Sequence, residues 1–158
     1  IYENLESAYL DVNNKKAREN MLLASYYAGV AINNNFIGYV HAIAHGIGGL
    51  YGVTHGKANA IILPYVLEAF GEKSYKKLAD LADLVGLKGN CEAQKAKNFI
   101  QSILELNRKL GIEKAMTELR KEDIPELAKR AVKEGNPTYP VPVIWENALF
   151  EKVIEKIV

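Results

Sequence analysis

All three histidines of the chain, His41, His45 and His55, fall within fifteen residues, in the run H-A-I-A-H-G-I-G-G-L-Y-G-V-T-H. On a helix His41 and His45 stand one turn apart on the same face. The glycines that follow, Gly46, Gly48, Gly49 and Gly52, read as a tight turn that ends regular structure. That turn would bring His55, at the start of the next helix, back toward the same face. Imidazole nitrogen is a borderline donor suited to Fe(II), Zn(II) and similar divalent ions. Two or three such nitrogens on an otherwise apolar segment form half of a metal site. The opposing reading makes each histidine a hydrogen-bonded core residue, the ordinary fate of a lone buried His. The clustering of all three in one apolar, glycine-rich window favours the metal.

Other chemistries fail on particular residues. H-x-x-x-H is the frame of the zinc metalloproteases, whose general base is a Glu directly after the first His; here Ala42 stands there, and no carboxylate activates water. The glycine run resembles a dinucleotide fingerprint, and Glu68 sits twenty residues beyond Gly48. That motif needs a preceding strand within a βαβ unit, and here a helical run precedes it. Cys91 has neither a second Cys nor a neighbouring His, and a buried or helix-capping role is expected of it.

The elements that must position the histidines are helical throughout. Ile1, Leu5 and Ala8 repeat at helical spacing. Lys15 to about Ile32 carries Ala17, Met21, Ala24, Ala28 and Ala31 on one face, and Asn33–Asn35 mark a turn. Phe36 to about His45 is apolar on nearly every face. Thr54 caps a helix over Lys57–Phe70, with Pro64 bending or interrupting it. Further helices are expected at 73–85, at 92–110 with Ile100, Ile103, Leu104 and Leu110 inward, and at 113–120, 123–134 and 146–157. The stretch Pro137–Pro142 reads as a stiff extended connector on the surface. No apolar alternation persists over a strand length, so the fold class is all-α, with about eight helices.

Composition narrows the function. The 158 residues suit a single domain able to bury about 70% of its unfolded surface. A net charge of +1, from 20 Lys and Arg against 19 Asp and Glu, supplies no field for nucleic acid or an anionic membrane. One cysteine cannot form an internal disulfide, which points to a reducing, cytoplasmic setting. The chain opens on Ile1 within an amphipathic pattern, and a longer parent chain is expected.

The stretch G-Y-V-H-A-I-A-H-G-I-G-G-L-Y-G-V-T-H-G-K-A-N-A-I-I-L-P, residues 38–64, resembles the signature of the iron-containing (group III) alcohol dehydrogenases. The run A-R-E-N-M-L-L-A-S-Y-Y-A-G-V-A-I-N-N, residues 17–34, is similar to that family's preceding helix. Gly135-Asn136-Pro137 and the proline-rich stretch after it resemble its closing segment. The middle, roughly 71–130, carries only the helical pattern. Thr54 stands where many members have Pro.

The resemblance implies the dehydroquinate synthase-like architecture: an N-terminal α/β domain binding NAD or NADP, then a helical domain holding a divalent metal, Fe2+ or Zn2+ or another. Residues 1–158 would be that helical metal-binding domain, without the nucleotide-binding domain and the first metal-ligand helix, whose Asp and His complete the site. By resemblance His41 and His55 match two of the four metal ligands. His45 matches a histidine in the cleft beside substrate and nicotinamide, a candidate for relaying the substrate's proton. The implied reaction is reversible oxidation of an alcohol to an aldehyde or ketone, with the missing domain and further copies of the chain as partners. The fragment alone would be inactive. The competing class is a non-enzymatic helical module with a structural metal or core histidines.

Overall fold

The structure, a computed structural model, describes residues 1–158. It is all helical, with eight α-helices and one 3-10 turn. None of the helices is long and apolar enough to cross a membrane. The chain divides into two compact units, Ile1–Phe36 and Ile37–Val158.

The first unit is a pair of helices, α1 (Leu5–Leu10) and α2 (Lys15–Asn35). Asn14 caps α2, its side chain accepting from the Ala17 amide at 3.0 Å, and Asn20 Nδ2 donates to Asn4 Oδ1 at 2.8 Å across the pair. The three asparagines read as a turn are helical. Asn34 and Asn35 turn their side-chain amides back onto the carbonyls of Val30 and Ala31 and so support the last turn. The helix ends at Phe36, which has a positive φ of 61°.

The second unit comprises α3 (Tyr39–Tyr51), α4 (His55–Phe70), α5 (Glu72–Leu84), α6 (Glu92–Lys109), α7 (Ile124–Gly135) and α8 (Asn147–Glu155). Its core lies where α3, α4, α7 and α8 meet, around the fully buried Tyr39, Trp145 and Phe150. The Tyr39 ring centroid is 4.9 Å from that of Trp145 and 4.7 Å from that of Phe150. Such aromatic pairs add about 0.5–1.5 kcal/mol beyond the area they bury.

The glycine run is not where regular structure ends. α3 passes through Gly46, Gly48 and Gly49 and stops only at Gly52, whose φ of 68° closes the helix in the left-handed region. The earlier glycines are accommodated within the helix: a Cβ on Gly46 would meet Leu127 Cδ2 of α7 at 3.4 Å, an ordinary contact, and one on Gly49 would meet nothing within 4 Å. Thr54 does take the cap position of α4, but its side chain makes no capping bond and the helix begins at His55. Residues 113–120 form no helix and connect α6 to the 3-10 turn at Lys121–Asp123. Cys91 precedes α6 in the cap position but is exposed and makes no side-chain cap bond. The expected inward face of α6 is only half-buried; its buried residues are Ala96 and Asn107.

Pro64 does not interrupt α4. A proline has no N–H to give to the carbonyl four residues earlier, here that of Ala60. Asn107 of α6 donates its side-chain amide to this carbonyl at 2.7 Å and replaces the missing bond. The buried asparagine thus explains how a helix crosses a proline unbroken. Asn107→Ala should cost about 1–3 kcal/mol by stranding that carbonyl, measured as a lower urea midpoint. Gly135→Ala should also destabilise, because a Cβ there would lie 2.9 Å from the buried ring of Tyr39. The overpacking cost, about 1–3 kcal/mol, exceeds the helix propensity gained, about 1 kcal/mol at most. An unchanged midpoint in either variant would contradict the corresponding contact.

Candidate metal centre

α3 is held at both ends by its terminal tyrosines. Tyr39 donates to Asn136 Oδ1 just beyond α7 and accepts from the Trp145 amide at 3.2 Å, while Asn136 Nδ2 donates to the Trp145 carbonyl at 2.9 Å. At the other end Tyr51 donates to Asp123 Oδ2 and accepts from the Arg120 amide at 3.1 Å. α3 and α7 therefore lie antiparallel with a fixed register. The apolar residues Ala42, Ile43, Ala44 and Ile47 fill the core, which leaves His41 and His45 on the opposite, more open face.

Gly52 turns the chain, and His55 opens α4 beside them. The ring centroids stand 5.2 Å apart for His41 and His55, 5.8 Å for His41 and His45, and 5.5 Å for His45 and His55. The expected convergence of the three histidines is thus present. None of them is a core residue: His41 is half-buried, and His45 and His55 are exposed.

Two imidazoles sharing one ion at N–metal distances of about 2.0–2.1 Å place their ring centroids about 5 Å apart. His41 and His55 fit that requirement. Burial, followed by the neighbouring rings of His55 and His45, pushes His41 below the ordinary histidine value, with Glu134 opposing. The imidazole is thereby kept in its neutral, ligating form. Asn59 Nδ2 lies 3.2 Å from His55 Nε2 and donates to the His55 carbonyl at 2.8 Å. An ion bound at that nitrogen would take the place of the amide hydrogen bond. No three His, Cys, Asp or Glu side chains converge into a group able to hold an ion by themselves.

His45 is occupied differently. Its Nδ1 is 2.7 Å from Glu134 Oε1, on the last turn of α7, and the same oxygen accepts from the Tyr139 hydroxyl at 2.7 Å. Burial first, and then Glu134, pushes the Tyr139 phenol up to about 12, so it stays a donor. Neither Glu134 nor Tyr139 was marked by the sequence as a site residue. The available signal was adjacency, since Glu134 directly precedes Gly135-Asn136-Pro137 and Tyr139 lies in the proline-rich stretch. Three cavities lie away from the histidines: one against Ala8, Val12, Arg18 and Leu22, and two beside Tyr65 and Leu104. Donor chemistry marks the histidine face as the candidate site.

A family model described as the Fe-containing alcohol dehydrogenase family, C-terminal, matches residues 1–155. The chain belongs to that family. It is 41% identical over 140 residues to a 1,3-propanediol dehydrogenase of Klebsiella pneumoniae, covering 86% of this chain and 36% of the relative. It is 38% identical over 162 residues to alcohol dehydrogenase 4 of Saccharomyces cerevisiae, covering 98% of this chain and 41% of that protein. The crystal structure of a 1,3-propanediol oxidoreductase superposes with a TM-score of 0.94 at 34% identity, over 99% of this chain and 42% of that one. The chain thus spans about two fifths of the length of these relatives, and the all-α architecture is that of the family's C-terminal domain.

Since structural sites supply four protein ligands as a rule, the isolated 158-residue chain should retain little iron or zinc after dialysis. Elemental analysis checks this, and a stoichiometric, slowly exchanging metal would contradict the two-ligand count.

Proposed function

We propose that this chain is the metal-binding helical part of an NAD(P)-dependent alcohol dehydrogenase that interconverts a small alcohol with its aldehyde or ketone. The observation that carries the reading is the approach of His41 and His55 from two different helices, with His45 beside them. The similarity to a 1,3-propanediol dehydrogenase and to alcohol dehydrogenase 4 supports an alcohol substrate.

His41 and His55 hold the divalent ion, iron or zinc. When bound, the ion polarises the substrate oxygen and lowers the pKa of the alcohol. The remaining donors, and a domain that binds NAD or NADP, come from protein outside these residues; the two-fifths coverage of the relatives supports that division. The near-neutral charge of the chain agrees with cofactor phosphates being bound elsewhere.

The residues of this chain do three things. The α3–α4 corner fixes the two ligating rings on a rigid frame, so that little ordering is needed when the ion binds. The apolar inner face of α3 keeps that frame packed. His45, exposed at the surface of the site, takes up the proton released from the substrate hydroxyl at its ring nitrogen and passes it to solvent.

In the dehydrogenase, His41→Ala and His55→Ala should each lose metal and activity together. His45→Ala should retain the metal while turnover falls about 10²–10⁴-fold, the usual contribution of a general acid or base. Metal content by elemental analysis and NAD(P)H absorbance read the two effects separately. Metal loss in His45→Ala would move His45 into the ligand set.

A further inference from the structure

We propose that Glu134 is a positioning residue that fixes the tautomer of His45, with the hydrogen on Nδ1 and the lone pair on Nε2. The inference deepens the proposed dehydrogenase and rests on its reading of His45 as the proton carrier.

The argument begins with the 2.7 Å contact between His45 Nδ1 and Glu134 Oε1. An ionised carboxylate has no proton to give, so the hydrogen in this bond belongs to the ring. A neutral imidazole carries one N–H. With that hydrogen on Nδ1, Nε2 bears a lone pair and is the only basic nitrogen of the ring. In water a free neutral imidazole side chain favours the opposite form, with the hydrogen on Nε2. Glu134 therefore inverts the intrinsic preference. Without it His45 would turn a donor, not an acceptor, toward anything approaching its outer nitrogen.

The carboxylate is itself held in place. Tyr139 donates to the same Oε1 at 2.7 Å, and its half-buried ring packs against the core. The backbone carrying Glu134 is fixed one and two residues later: Gly135 lies against the Tyr39 ring, and Asn136 is bonded to both Tyr39 and Trp145. With the side chain anchored by a phenol and the main chain by the core, Oε1 does not depend on His45 for its position. The pair itself is partly exposed, at 41% and 33% for the two side chains. Its contribution to stability is therefore small. What it controls is the orientation and hydrogen placement of one ring.

The test uses the metal-free chain labelled with 15N-histidine, at alkaline pH where the rings are neutral. Long-range proton–nitrogen correlation spectra identify the protonated nitrogen of each ring. Wild-type His45 should show a protonated Nδ1 and a bare Nε2. In Glu134→Leu the Nδ1 resonance should move downfield as the hydrogen transfers to Nε2, with the patterns of His41 and His55 unchanged. A wild-type His45 protonated at Nε2 would overturn the proposal, as would a variant that retains the Nδ1 hydrogen. The wild-type spectrum decides even if the variant does not fold. Failure of the dehydrogenase activity with this tautomer intact would count against the proposed function alone.

Discussion

The antiparallel seam between α3 and α7 governs the rest of the second unit. It is closed by a tyrosine at each end of one helix, Tyr39 against Asn136 and Trp145, and Tyr51 against Asp123 and Arg120. Between them, Gly46 faces Leu127 of α7. A helix so fixed can neither slide nor roll, and rolling by one residue would swap the histidine face for the apolar one. The geometry of His41, His45 and His55 therefore follows largely from packing contacts made by other residues of α3, to which His45 adds its bond to Glu134 of α7.

Much of this was legible in the sequence. Helical periodicity identifies seven of the eight helices to within a few residues, and the absence of alternation gives the all-α class. The histidine window is a local pattern: two residues one turn apart and a third shortly after. Local patterns survive reading in one dimension. The errors share a cause. Gly46, Gly48 and Gly49 were read by propensity, which favours a turn, whereas helical hydrogen bonding carries α3 through them to Gly52. Asn34 and Asn35 likewise stay helical, their side-chain amides finding carbonyls one turn back. The helix expected at 113–120 had apolar residues at suitable spacing. Met116 and Leu119 do reach the core, but from an irregular segment whose amide at Met116 bonds the Ile157 carbonyl at 2.7 Å.

The residues that escaped notice are the ones whose partners lie far along the chain. Glu134 meets His45 across 89 positions, and Asn107 meets Ala60 across 47. No periodicity connects such pairs, because they exist only once the helices have docked. The same distinction separates the parts of the proposed metal site. His41 and His55 belong to one helical corner and could be identified together, while Glu134, which meets His45, arrives with a different helix.

The proline in α4 carries a consequence for sequence change. Pro64 and Asn107 are bound into one unit of variation, because one creates the need that the other meets. A residue with an N–H at position 64 would reclaim the Ala60 carbonyl for the helix and free position 107 to become apolar. With Pro64 kept, position 107 must go on supplying a donor, and a buried amide there is constrained by a ring on another helix. Among related sequences the two sites should therefore change together, one helix recording in its choice of side chain the history of its neighbour.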